Sequence, residues 1–220
     1  MEIVAVATYA MDVLMTVDRL PGEDGFAVVT GNTYMPGGSG TNVLTQAARL
    51  GAACGFMGLL GDDTLGNDII ASLHDEKIDT SAVRRKESGI SLHTDIVVDS
   101  EGKKFILLNM GNSFLAYEPG MMDMDYLCSA KIYFTDLLPV GPAVEGLKAA
   151  KAAGLKTGFN MQLDLMGMTG FGASKEIILE SLQYVDCLHP AGLACISCAV
   201  PRIWMRVLHT CGLTSRAPCW

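Results

Sequence analysis

The sequence predicts an α/β protein: a mostly parallel sheet covered by helices on both faces, with a small β flap inserted twice. Three observations carry this. In the second half, short apolar runs at 131–135, 155–160 and 185–188 alternate with helical patterns at 143–153 and 174–182, and parallel strands need such crossovers. Near the start, 3–8 and 52–60 are continuous apolar runs, as expected for strands buried on both faces. Four segments break this rhythm. At 13–18, 26–35, 92–98 and 104–109 apolar and polar residues alternate, which suits strands with one exposed face outside the main sheet.

The elements follow in order. After the first strand and the first two flap strands, 41–50 carries Val43, Leu44, Ala47, Ala48 and Leu50 before Gly51, the pattern of a helix with a glycine stop. The segment 63–77 places Ile69, Ile70 and Leu73 on one helical face, with Asp62 or Asp63 as N-cap. Asp99-Ser100-Glu101-Gly102 separates the last two flap strands and predicts a tight hairpin.

Composition bounds the function. The chain has 220 residues, 50% hydrophobic and 18% charged, which is enough for one self-contained core without disulfides or metal. Its net charge of −8 argues against nucleic acid or an anionic membrane surface as partner. The uncharged stretch 25–48 is rich in Gly, Thr and Asn, so it is no membrane span. The N-terminus has Glu2, no Lys or Arg before Arg19, and Asp12 within its apolar run; these features argue against a signal peptide and for a cytoplasmic protein. Cys54, Cys128 and Cys187 sit in apolar runs and read as small buried hydrophobes.

The most informative segment is Pro36-Gly37-Gly38-Ser39-Gly40-Thr41-Asn42, a glycine-dense loop opening the first helix. Backbone N–H groups at such a start can approach oxyanions or hydroxyls closely, because no side chain intervenes. No Gly-Lys-Ser/Thr follows, so this is not a phosphate loop of the Walker A type. Val43 occupies the third-glycine position of a dinucleotide fingerprint, which excludes that as well. A ligand with hydroxyls fits better: Asn42 offers donor and acceptor, and Asp12 a carboxylate for a hydroxyl pair. The plainer alternatives are that Asp12 caps a turn and Asn42 caps the helix.

In the order and spacing of several pieces the sequence resembles the PfkB, or ribokinase-like, family of carbohydrate kinases. These are Asp12, then 18–23, Gly37-Gly38-Ser39-Gly40-Thr41-Asn42, Ala47-Ala48-Arg49-Leu50-Gly51, Gly58-Leu59-Leu60-Gly61-Asp62-Asp63 and Leu65-Gly66. The resemblance implies a three-layer α/β/α sandwich over 1–190, with a β lid from about 12–36 and 88–112. It implies transfer of the γ-phosphoryl group of ATP, with Mg²⁺, to a hydroxyl of a small-molecule sugar or sugar derivative. By motif position Asp12, Gly38 and Asn42 would contact sugar hydroxyls and Gly37 would allow close approach. Asp136 and Asn160, at the ends of later strands, would be polar contacts near the acceptor or phosphate. The lid implies a homodimer.

The family's later Asp-Thr-x-Gly-Ala-Gly-Asp segment, source of the catalytic base and anion hole, does not occur in this sequence. Where the family's Asn-x-x-Glu should follow His189-Pro190, the residues are Ala191-Gly192-Leu193-Ala194. No catalytic residue is therefore assigned, and impaired turnover is expected. The alternative function is a non-catalytic sugar-binding or dimerising fragment. Composition breaks at the same place: 191–220 contains three Arg, both Trp and four of the seven Cys, but no Asp, Glu or Lys. Subtracting that +3 from −8 leaves −11 for 1–190. The expectation is a kinase domain lacking its nucleotide-binding part, joined near Pro190 to an aberrant tail; an uninterrupted natural reading frame would overturn it. Cys195, Cys198, His209 and Cys211 have spacing too tight for a structural zinc site, and no metal is assigned.

Overall fold

A computed structural model describes residues 1–190. The readings made on 191–220, the aberrant tail and its Cys and His residues, lie outside the described residues. Among the described residues ten strands form two sheets, and six α-helices pack with them. Strands β1 (Ile3–Val6), β4 (Cys54–Gly61), β5 (Val83–Lys86), β8 (Ile132–Thr135), β9 (Lys156–Met161) and β10 (Cys187–Pro190) make a parallel sheet in the order β10-β9-β8-β1-β4-β5. A separate sheet has the order β3-β2-β6-β7, from β2 (Ala10–Val17), β3 (Val29–Gly37), β6 (His93–Val98) and β7 (Lys104–Asn109). The predicted α/β class and its small additional sheet are both present.

Burial on both faces explains the continuous apolar runs. Along β1, Val4 and Val6 join one core cluster and Ala5 the other; along β4, Met57 and Leu59 oppose Phe56 and Leu60. The cluster holding Phe56 and Leu60 is closed by Leu44 of α1 (Ser39–Arg49) and by Ile69 and Leu73 of α2 (Thr64–Asp75). On the other face Ala143, Leu147 and Ala150 of α4 (Val140–Ala152) and Ile178 of α6 (Lys175–Ser181) cover Tyr133 and Phe159. Helix, sheet and helix make three layers.

Local chemistry sets the boundaries. Gly51, at φ +98°, ends α1, and its N–H donates to Ala48 O at 2.9 Å. Asp63, not Asp62, caps α2: its Oδ1 accepts from Gly66 N at 2.8 Å, while Asp62 Oδ1 accepts from Gly89 N at 3.0 Å. Asp63 also receives the Ser91 N–H and O–H, tying the end of β4 to the chain entering β6. Burial alone would raise the Asp63 carboxyl, but these hydrogen bonds outweigh it and hold the group below the ordinary range.

The structure departs from the sequence reading in several elements. Strand β5 and the short helices α3 (Met124–Cys128) and α5 (Leu165–Gly170) have no counterpart in it, and β10 lies two residues beyond the expected 185–188. The first flap strand, expected at 13–18, begins three residues earlier as β2, so Asp12, after β1, is its third residue.

One glycine inverts the usual helix rule. Gly146 lies in α4, where alanine normally gains about 1 kcal/mol. A Cβ there would meet the Tyr133 hydroxyl at 2.3 Å and Cζ at 2.4 Å, and that ring is fully buried with its hydroxyl donating to Ala143 O. Gly146→Ala is therefore expected to lower stability by about 1–2 kcal/mol in urea denaturation.

Candidate functional site

The strand order reverses beside β1: the chain passes outward through β4 to β5, then returns to the other side as β8, β9 and β10. The crevice at the carboxyl ends of β1 and β8 is where an open parallel sheet offers a ligand site. Thr8 follows β1 and Asp136 follows β8, and Thr8 N–H donates to Asp136 Oδ2 at 2.9 Å.

Asp136 is fully buried and saturated. Its Oδ2 also accepts from Ser39 Oγ and from Gln162 Nε2 at 3.2 Å, and Oδ1 accepts from Leu138 N at 3.2 Å. Burial pushes the carboxyl above its ordinary range, while the hydrogen bonds pull it back. Gln162 Nε2 also reaches Thr8 Oγ1 at 3.0 Å. One carboxylate thus joins the chain after β1, the glycine loop and the segment after β9.

The glycine loop packs on the same point. Gly40 N and Thr41 N both donate to Thr8 O, at 3.0 and 3.2 Å, and Asn42 N donates to Gly38 O at 3.0 Å. These first-turn donors were expected to face a ligand; the protein's own carbonyls use them. The glycines are needed for contact within the chain. A Cβ on Gly40 would lie 2.1 Å from Ala7 Cβ, and one on Gly37 would lie 2.2 Å from Asp12 Oδ2. Gly37 therefore makes room for the Asp12 carboxylate.

Asp12 is half-buried at the centre of the small sheet, opposite Met35 and Thr94, and accepts the Thr94 hydroxyl at Oδ1. It faces a cavity of about 320 Å³ between this sheet and the switch point. Thr8, Gly38, Ser39, Thr94 and Gln162 line the cavity with it, and Ile106 and Leu108 of β7 form part of its apolar wall.

Of the residues singled out in the sequence, the cavity brings together Asp12 and Gly38. Asp136 does not line it and is reached through Ser39, Thr8, Leu138 and Gln162. Gly37 and Asn42 line a neighbouring depression with Arg49 and Glu76, whose side chains pair across it. Asn160 lies at the end of β9, with Oδ1 3.1 Å from His189 Nδ1, outside the cavity lining. No sequence pattern points to Thr8, Thr94 or Gln162, and Ser39 stands in the glycine segment without a role of its own there.

This arrangement has known counterparts. The model of the pfkB family carbohydrate kinases matches residues 1–191. The chain belongs to the PfkB family. Mouse (Mus musculus) ribokinase is 32% identical over 165 residues, covering 72% of this chain and 50% of the relative. A probable chloroplastic fructokinase of Arabidopsis thaliana is 23% identical over 183 residues, covering 79% and 48%. The chain spans about half the length of these curated PfkB relatives. Among solved structures, Arabidopsis thaliana ribokinase complexed with ribose and ATP superposes with a TM-score of 0.75 at 21% identity, covering 96% of this chain and 68% of that one. Thermotoga maritima ribokinase gives 0.74 at 21%, covering 96% and 69%. These structures share the PfkB fold of the two sheets described above.

Among the described residues no helix is long and apolar enough to cross a membrane. Among them, too, no three His, Cys, Asp or Glu side chains converge on one metal position.

Proposed function

We propose that residues 1–190 are the sugar-binding part of an ATP-dependent sugar kinase. The observation that carries this is the Asp12 carboxylate, held by Thr94 and facing a cavity at the switch point. A carboxylate accepts two hydroxyl hydrogen bonds at once, which orients a sugar ring. Gly38 brings its backbone to the same cavity, and Ser39 and Gln162, both anchored on Asp136, fix the opposite wall. Asp136 is thus a positioning residue. Gly37 seats Asp12, and Asn42 and Asn160 stand outside the cavity. ATP is the phosphoryl donor by family membership.

Exposed Tyr34 and Leu107, on one face of the small sheet, support a homodimer through this lid. The acidic composition supports a protein without nucleic-acid or anionic-membrane partners.

Calorimetric titration tests the reading. The 220-residue chain is expected to bind ribose or fructose, and Asp12→Ala to weaken that binding at least ~10-fold, as loss of a charge-assisted hydrogen bond does. Unchanged affinity in Asp12→Ala would remove this cavity as the sugar site. Binding of sugar without any response to ATP would favour the non-catalytic alternative.

A further inference from the structure

The cavity's charge is one-sided. Asp12 is the one ionisable side chain among the described residues that line it; no Lys, Arg or His does. The other polar side chains are already engaged: Thr94 donates to Asp12, Ser39 to Asp136, and Gln162 to Asp136 and Thr8. The remaining wall is apolar, with Ile106, Leu108, Phe114 and Phe171 among its members.

An anionic group entering this space would lose its hydration, meet no cation and approach a fixed carboxylate. Hydroxyls face no such penalty, because Asp12 is an acceptor and they are donors. From this lining we propose that the acceptor is an electrically neutral sugar, and that the site rejects sugar acids and sugar phosphates. The proposal rests on the reading of the cavity as the sugar site and adds its selectivity. Here the walls discriminate by what they lack: a neutral sugar needs no counter-charge, whereas a carboxylate or phosphate bound between Asp12 and the buried Phe114 would be left unpaired.

The test titrates the 220-residue chain calorimetrically with four probes: ribose, fructose, gluconate and ribose 5-phosphate. Both neutral sugars are expected to bind at least ~10-fold more tightly than either anion. Gluconate or ribose 5-phosphate binding as tightly as ribose would overturn the neutral-acceptor proposal while leaving the sugar site standing. Silence from all four would sink both. A second arm adds a cation: Ile106→Arg, at a lid position 52% exposed, is expected to raise the ratio of ribose 5-phosphate to ribose affinity at least ~10-fold. An unchanged ratio would show that the missing cation is not what rejects anions.

Discussion

Gly38→Ala is expected to lower global stability by about 3 kcal/mol and to abolish sugar binding, whereas Gly51→Ala should cost only about 1 kcal/mol. Both glycines have φ +98°, so the conformational penalty for an L residue is of the same kind at each. Their surroundings differ. A Cβ on Gly51 meets nothing within 4 Å, but one on Gly38 would lie 2.5 Å from Tyr9 Cα, 2.7 Å from Thr8 O and 2.8 Å from Ala10 N. Those three are backbone atoms between β1 and β2 and cannot rotate aside. Relief requires moving the loop away from Thr8, whose carbonyl holds Gly40 and Thr41, and from Asp12, which Gly37 seats. Urea denaturation of the pair separates clash from φ strain, and equal losses would refute the steric account.

This contrast marks what the sequence made legible. The density of glycine at 37–40 signals that something must come close, but not what. In the fold Tyr9, Ala7 and Asp12 of the same chain come that close, and Gly38 also borders the cavity. The parallel sheet was readable because Val4, Ala5 and Val6, like Phe56, Met57, Leu59 and Leu60, are apolar on both faces, a pattern that solvent-facing strands do not keep. Strand β5 was not readable, since Val83-Arg84-Arg85-Lys86 forms an edge where charge is tolerated and no period shows. Asp12 could be picked from motif order, yet Thr94 could not. Its place depends on the register Asp12↔Thr94, set by residues 82 positions apart. Gln162 was hidden for the same reason, since its partners Thr8 and Asp136 come from two other strand ends.

Asp136 is where opposing electrostatic effects can be weighed by experiment. Asp136→Ala removes the acceptor for Thr8 N, Leu138 N, Ser39 Oγ and Gln162 Nε2, and is expected to cost about 3 kcal/mol, because two backbone donors are left unpaired in a dry site. Asp136→Asn keeps an oxygen for three of the donors and sets an amide against Leu138 N–H, so about 1 kcal/mol is expected. The two variants also differ from the native protein in their pH response. Burial raises the native carboxyl above its ordinary value of 3.8, so between that value and the folded one the native state holds the proton more firmly than the unfolded chain does. This contribution to stability is complete below 3.8 and is lost as pH rises through the folded value. Asp63 and Asp186 run the other way, with lowered carboxyls whose contributions are lost as pH falls, so the native curve alone mixes both signs. Subtracting the Asp136→Asn curve cancels them. The native advantage over Asp136→Asn is expected to shrink from pH 4 toward neutrality in urea titrations. An advantage that widens instead would mean that the four hydrogen bonds outweigh burial, and that Asp136 holds Ser39 and Gln162 as a stably ionised carboxylate.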